Sequence, residues 1–406
     1  MNRKRSLGRP VLLWLIMMAM SLGIIEILAA IVLTIQPSIF GGHATSLEDR
    51  ESRLVQAIIR MREDRPDSLA EFHGELGWRP RPGLDNGPDI INGQALRSRR
   101  AYSKSPAAGV LRIAVFGDSF VYGSEVLTDE AWPSVVEQLR PRTEVLNYGV
   151  PGYGQGQIYL RFQAEGRDLE PRIVLFGVAT PTLERIMMIS AVFRSPGAAN
   201  YDFVKKPRFI LGEGGLSLAP NDLHRLSDFE RYVKDPASFR ELGAYDYWYE
   251  PLVYENWLFR HSRTGRLVFG GWAQLKRRMI DPDRPLKGPR GGAEFNESSS
   301  GFRILTLIFE HFVATATGWG MRPVILILPD GYSMERIKNG ESGIMDPVRK
   351  FCSERGLEVI DVKDAFLASP TDVDPSVWFK NSFHYSVEGN RVVAEWIRDE
   401  IDRREW

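Results

Sequence analysis

Two residues far apart in the chain carry its strongest chemical signal: Ser119, in Gly117-Asp118-Ser119, and His384, in Asn381-Ser382-Phe383-His384. A serine hydroxyl is a weak nucleophile until a base takes its proton. A neutral imidazole, titrating near pH ~6.5, suits that task. Together they would perform acyl transfer: attack on an ester carbonyl, an acyl-enzyme, then release to a second acceptor. The serine's own N–H, free at a strand-to-helix turn, would help hold the oxyanion. Read alone, Asp118 and Ser119 equally fit an ordinary turn or helix cap.

The chain has six histidines, and five of them suit other surroundings. His43 lies just past an apolar run and His73 in a Pro/Gly-rich arm. His224 and His261 fall in an irregular central segment, and His311 on the face of a helix. His384 follows the last strand and precedes the last helix, where strand-end loops can bring it to Ser119.

The elements that must position this pair show clear patterns. Residues 113–116 (Ile-Ala-Val-Phe) form a short apolar run, as in a strand covered on both faces of a parallel sheet. It breaks at Gly117, and Trp132, Val135, Val136 and Leu139 then recur at helical spacing. Strands are also expected at 145–148, 173–177, 323–328 and 357–361, with helices at 302–317, 346–355 and 391–403. The expected fold is α/β, a doubly wound, flavodoxin-like parallel sheet of about five strands. Such sheets bind ligands beyond the carboxyl ends of their strands, where Ser119 falls.

Residues 182–300 break the alternation and read as a large cap insertion that shapes the cleft. Within it, 207–218 alternate around a glycine turn as a β-hairpin. Tyr245, Tyr247, Trp248, Tyr249, Trp257 and Phe259 form an aromatic patch suited to a core or to sugar stacking. Asn296-Glu297-Ser298 matches a glycosylation acceptor, a pattern too short to carry weight.

Gly117-Asp118-Ser119-Phe120 and His384-Tyr385-Ser386, preceded by Glu75-Leu76-Gly77-Trp78, resemble blocks of the SGNH (GDSL-like) hydrolase superfamily. The closer likeness is to membrane-anchored bacterial members tied to O-acetylation of exported polysaccharides, and it spans residues 76–397 around a divergent middle. The resemblance implies a serine esterase or acyltransferase without cofactor or metal, acting on an ester or glycan. Ser119 would be the nucleophile and His384 the base, with Gly117 and Asp118 supporting the motif. The oxyanion hole would draw on the N–H groups of Ser119 and of Gly149, which ends the second strand.

Two positions depart from that pattern. The family's oxyanion-binding asparagine is Ala179 here, leaving Thr180 or Thr182 as substitutes. Loss of one such donor costs about 10²–10³ in rate. The aspartate expected three residues before the histidine is Asn381. An amide oxygen can orient the ring but brings no full charge; Asp372, Asp374 or a backbone carbonyl are the alternatives. The outcomes are a slow or specialised acyl-transfer enzyme, a Ser–His dyad, or a fold kept for glycan binding and assembly beside a membrane-bound acyltransferase.

Residues 11–35 are almost wholly apolar. They exceed the about 20 residues that span a hydrocarbon core and the about 7–15 of a signal-peptide core. A retained anchor over 11–36 is therefore expected. Arg3, Lys4, Arg5 and Arg9 make residues 1–10 a basic tail. By the positive-inside rule the N-terminus is cytoplasmic and the main domain periplasmic or extracellular. Glu26, inside the apolar run, reads as a contact to another membrane protein or as a protonated or snorkelling carboxyl.

Residues 37–108 read as a stalk and extended arm, with an exposed amphipathic helix at 48–65 and Arg97, Arg99 and Arg100 facing solvent or an anionic glycan. Residues 109–406 form the hydrolase-like domain. The 52 basic and 52 acidic residues cancel, so no global field recruits nucleic acid. Cys352 is the one cysteine, which excludes an internal disulfide and, with scattered histidines, argues against structural zinc.

Overall fold

The computed structural model describes residues 8–63, 65–194, 204–287, 294–369 and 374–406; Asp372 and the basic residues Arg3, Lys4 and Arg5 lie outside them. The chain gathers into two compact units. One comprises Ile59–Ile189, Lys205–Glu230 and Pro282–Trp406; the other comprises Met1–Ile58, Ser190–Val204 and Arg231–Asp281. Residues 182–300, continuous in sequence, are shared between them.

The larger unit opens with a short antiparallel pair, β1 (Ala70–His73) and β2 (Gly77–Pro80). Its sheet is built from β3 (Leu111–Gly117), β4 (Thr143–Gly149) and β5 (Ile173–Ala179). The hairpin β6 (Phe209–Gly212) and β7 (Gly215–Leu218) follows as expected, then the short pair β8 (Leu286–Lys287) and β9 (Glu294–Phe295). The sheet is completed by β10 (Arg322–Leu328) and β11 (Val359–Asp361). Its order is β11-β10-β5-β3-β4 with every pair parallel, the doubly wound arrangement expected from the sequence.

Alternation along each strand sends side chains to opposite faces. Ile113, Val115 and Leu175 join a core with Trp132 and Val136 of α4 (Trp132–Leu139) and Val393 and Ile397 of α16 (Val387–Arg403). Phe116 and Phe176 point the other way. There they meet Phe162 of α5 (Gln155–Glu165) and Phe309 and Phe312 of α12 (Ser300–Gly318), ring centroids 4.9–5.8 Å apart. Helices α3 (Ser119–Tyr122), α6 (Thr180–Arg185), α13 (Gly331–Lys338), α14 (Asp346–Glu354) and α15 (Lys363–Ala368) complete the unit.

Where β3 and β4 end, the backbones touch. Gly117 and Gly149 are register partners, and a Cβ on Gly149 would stand 2.2 Å from the Tyr122 nitrogen. Gly149→Ala is therefore expected to destabilise the protein by about 2–3 kcal/mol or more, read as a fall in the urea midpoint, because backbone cannot yield as a side chain can.

The arm over residues 75–108 packs on this unit. Trp78 Nε1 donates to Pro151 O at 3.2 Å, and the Trp78 carbonyl accepts the Tyr153 hydroxyl at 2.5 Å. Arg97 is 2% exposed and faces neither solvent nor a ligand, contrary to its sequence reading. Its guanidinium donates to Tyr122 O at 2.7 Å and Val126 O at 2.6 Å, bracketing the turn 123–125. Arg99 and Arg100 instead pair with Asp129 and Glu137. Arg97→Ala removes the donor from the Gly123 and Val126 carbonyls in the interior, and a loss of about 3 kcal/mol in unfolding free energy is expected. Asn296 is 1% exposed and its amide donates to Pro282 O and Arg284 O, so it is no acceptor for a glycan.

The smaller unit contains α1 (Gly8–Ile35), α2 (Leu47–Arg62, of which the first twelve residues belong here), α7 (Ala191–Arg194), α8 (Glu230–Lys234), α9 (Pro251–Tyr254), α10 (Trp257–His261) and α11 (Arg263–Leu275). Within α1, Pro10–Ile35 is 26 residues long and apolar enough to cross a membrane. Helix α2 is not the exposed stalk expected: Arg50, Leu54, Ala57 and Ile58 are buried. Arg50 donates to His43 O and lies 4.9 Å above the Tyr254 ring. The buried Tyr254 in turn stacks on the half-buried Tyr249; of the aromatic patch, Phe259 is core while Trp257 is 69% exposed. Glu26 finds its partners within the chain: its carboxylate accepts from Ser262 Oγ at 2.9 Å and Thr264 N at 3.0 Å.

Candidate active site

Strand β3 ends at Gly117, where a Cβ would meet Val121 Cγ2 at 2.2 Å and only glycine fits, and the chain turns at once into α3. Asp118 caps that helix, accepting the Phe120 N–H at 3.0 Å. Ser119 is its first residue, 3% exposed, just past the carboxyl end of β3. The first N–H groups of a helix have no partner within it, and that of Ser119 has no acceptor among the described residues.

His384 arrives from the other end of the chain on a hairpin, β12 (Phe379–Lys380) and β13 (His384–Tyr385), in which Lys380 and His384 are paired. Asn390 holds the following helix in place. It is fully buried, accepts the Trp132 N–H at 3.0 Å and donates to Ser386 O at 2.9 Å. The imidazole packs between Phe120 and Phe383, at centroid distances of 5.1 and 4.5 Å. Its Nε2 stands 2.9 Å from Ser119 Oγ. Its Nδ1 stands 2.8 Å from Glu125 Oε1. A hydroxyl, an imidazole and a carboxylate thus form a continuous chain, with the ring's tautomer set by the carboxylate.

Strand order, the Gly-Asp-Ser turn after β3 and the histidine before the last helix are as the resemblance noted in the sequence leads one to expect. Solved structures similar to the chain include the lipase/acylhydrolase of Enterococcus faecalis, at 13% identity and TM-score 0.34, covering 73% of this chain and 97% of that one. A member of the lipolytic protein G-D-S-L family from Veillonella parvula is similar at 9% identity and TM-score 0.35, covering 72% and 100%. A two-domain esterase active on acetylated mannans is similar at 10% identity and TM-score 0.35, covering 73% of this chain and 50% of that one. Likeness at this level transfers no residue role and no substrate. No family model matches the chain, and no curated protein matches it.

The third member of the site differs from the sequence expectation. Asn381 lies in the hairpin turn, exposed, at φ +51°, away from the ring edge that Glu125 occupies. Asp374 is also exposed, its carboxylate accepting the Ser376 N–H. Glu125 follows Ser119 by six residues, in the turn that Arg97 brackets, at φ +71°. The Lys380 ammonium donates to the Glu125 carbonyl, so the hairpin that carries the base also grips the carboxylate's backbone.

The oxyanion donors need correction too. The Gly149 N–H is engaged by Asn147 Oδ1 at 2.9 Å and cannot serve a ligand. Thr182 donates to Ala179 O at 2.6 Å, which leaves its hydroxyl proton occupied. Thr180 Oγ1 lies 3.1 Å from Ser333 Oγ just beyond the end of β5, and either hydroxyl can donate to the other. Gly152, at φ +84° in the turn after β4, has an N–H without an acceptor among the described residues.

Two buried carboxyls flank the pair. Burial pushes the Asp118 carboxyl above its ordinary range, against the nearby Arg185 guanidinium and the Phe120 N–H. Burial raises Asp330 likewise, against its hydrogen bonds to Ser333. Asp330 caps α13, accepting the Ser333 N–H at 2.7 Å, and so supports the neighbour of Thr180. Among the described residues no group of three or more His, Cys, Asp or Glu side chains is placed to hold a metal ion.

Proposed function

We propose that the chain is a membrane-anchored serine esterase or O-acyltransferase whose triad is Ser119, His384 and Glu125. The observation that carries this reading is the 2.9 Å approach of His384 Nε2 to Ser119 Oγ with Glu125 on the opposite ring nitrogen. Ser119 Oγ attacks the ester carbonyl carbon as its proton passes to His384 Nε2. The tetrahedral intermediate collapses, and the alcohol leaves with that proton. Water or a sugar hydroxyl then gives its proton to the imidazole as it attacks the acyl-enzyme carbonyl, and Ser119 Oγ leaves, taking that proton back from His384. The N–H groups of Ser119 and Gly152 and the Thr180 hydroxyl are the donors proposed for the oxyanion.

An N-terminal anchor with a cytoplasmic basic tail puts the domain on the outer side of the membrane. An acetyl ester on an envelope or exported polysaccharide is the substrate class that this location favours. A membrane-bound acyltransferase would be the natural supplier of acyl groups.

Ala179, which offers no side-chain donor, favours a second reading: a module that binds glycan without turnover. A fluorophosphonate probe on the purified full chain separates the two. Labelling of the wild type at Ser119, and none of Ser119→Ala, is the expected result. A wild type that stays unlabelled beside a reactive control esterase means binding without catalysis.

A further inference from the structure

The smaller unit leaves an apolar stripe uncovered. Val268, Trp272, Leu275 and Met279 are 58%, 43%, 44% and 74% exposed. They recur at intervals of four, three and four residues, which places them on one face of α11 and its π-helical extension Lys276–Ile280. Trp257 and Leu258, at the start of α10, add further exposed apolar surface at 69% and 49%. Soluble surfaces rarely carry so continuous a patch without a partner.

Three observations identify that partner. First, α11 is fastened to the apolar helix α1. Glu26 accepts hydrogen bonds from Ser262, Arg263 and Thr264 at the start of α11. Farther along, a Cβ on Gly270 would stand 2.9 Å from the nitrogen of Ala44, so there the backbone of α11 touches the segment that follows α1. Second, depth follows from the helix itself. Glu26 precedes Ile35 by nine residues, about 13 Å at 1.5 Å per residue. In a helix that spans a core of about 30 Å, the junction of α10 and α11 then lies below the hydrocarbon boundary, on the C-terminal side of the bilayer. Third, residues 251–280 carry Arg260, Arg263, Arg266, Lys276, Arg277 and Arg278 against the single acid Glu255. Exposed tryptophan and aliphatic side chains beside basic ones are the composition of interfacial membrane helices.

From these we infer that residues 251–280 are a second membrane-contacting element, with α10 and α11 inserted into the leaflet that α1 leaves at Ile35. The ligand is the lipid leaflet, through its acyl chains at the Val268–Trp272 face and its phosphates at the arginines. Glu26 is then a helix-capping residue inside the membrane, its charge satisfied by the α11 N–H groups rather than by another protein. The inference rests on the reading of α1 as a spanning helix.

The test uses the full chain in vesicles of phosphatidylcholine and phosphatidylglycerol, in a Cys352→Ala background. Single cysteines at Val268, Trp272, Leu22 and Glu241 carry an environment-sensitive fluorophore, quenched either by doxyl-labelled lipid or by aqueous iodide. Glu241 is the polar control, with its side chain 64% exposed. Leu22 reports on α1. Labels at 268 and 272 are expected to be quenched by the doxyl lipid and to respond to iodide about fivefold less than the label at 241. If they respond to iodide as 241 does while 22 is quenched by lipid, the anchor stands and the inference is overturned. Shielding from both quenchers at 268 and 272, with 22 in lipid, means a protein covers the face and overturns it equally. A label at 22 untouched by doxyl lipid removes the spanning reading itself, and the inference with it.

Discussion

Ser119→Ala is expected to lower kcat for an acetyl ester by about 10⁴-fold or more while KM and the unfolding midpoint stay close to wild type. The hydroxyl's partner is His384 Nε2, and its N–H, which would face the oxyanion, survives the change. Alanine suits the first turn of α3, so the scaffold has no reason to move. Steady-state kinetics on the full chain in detergent, with circular dichroism on the same samples, provides the measurement. Residual activity within tenfold of wild type would mean that another nucleophile does the work and that the Ser119–His384 contact is structural.

The second large effect separates Glu125 from Asn381. Glu125→Gln keeps an oxygen for the Nδ1–H but removes the charge that balances the imidazolium. A fall in kcat of about 10² is expected, and about 10³ for Glu125→Ala, which removes the orienting bond as well. Both are smaller than the roughly 10⁴ known for a buried triad aspartate. The reason is exposure: the Glu125 side chain is 41% accessible, so water screens part of its field. Asn381→Ala is expected to change kcat by less than about threefold, since its side chain is exposed in the hairpin turn away from the ring. KM should hold steady in all three variants. If instead Asn381→Ala is the damaging change and Glu125→Gln is silent, the ring turns over in solution and the local sequence pattern had named the right partner.

These predictions lean on a division that recurs through the molecule. Contacts between neighbours in sequence were legible. The apolar run 113–116, the turn at Gly117 and the helical spacing from Trp132 to Leu139 mark β3, α3 and α4, because alternation and periodicity are local properties. The same reading found five strands and their doubly wound order, and with the family resemblance it singled out Ser119 and His384 at strand ends. The hairpin at 209–218 was equally plain.

What the sequence could not display was which groups already had partners. Gly149 looks like an oxyanion donor until Asn147 Oδ1 is seen on its N–H, and Arg97 looks solvated until the carbonyls of Tyr122 and Val126 close on it. Glu125 went unnoticed because nothing within three residues of His384 points to it; a hairpin from the far end of the chain had to fold across α3 to bring them together. Glu26 gave the same lesson in the other unit, its neighbours lying more than 230 residues away along the chain. Sequence by itself determined the scaffold and two of the reacting groups, since backbone pattern depends on near neighbours. Tertiary structure alone decided the carboxylate and the donors, because a polar atom's availability depends on every atom that packing brings within about 3 Å of it.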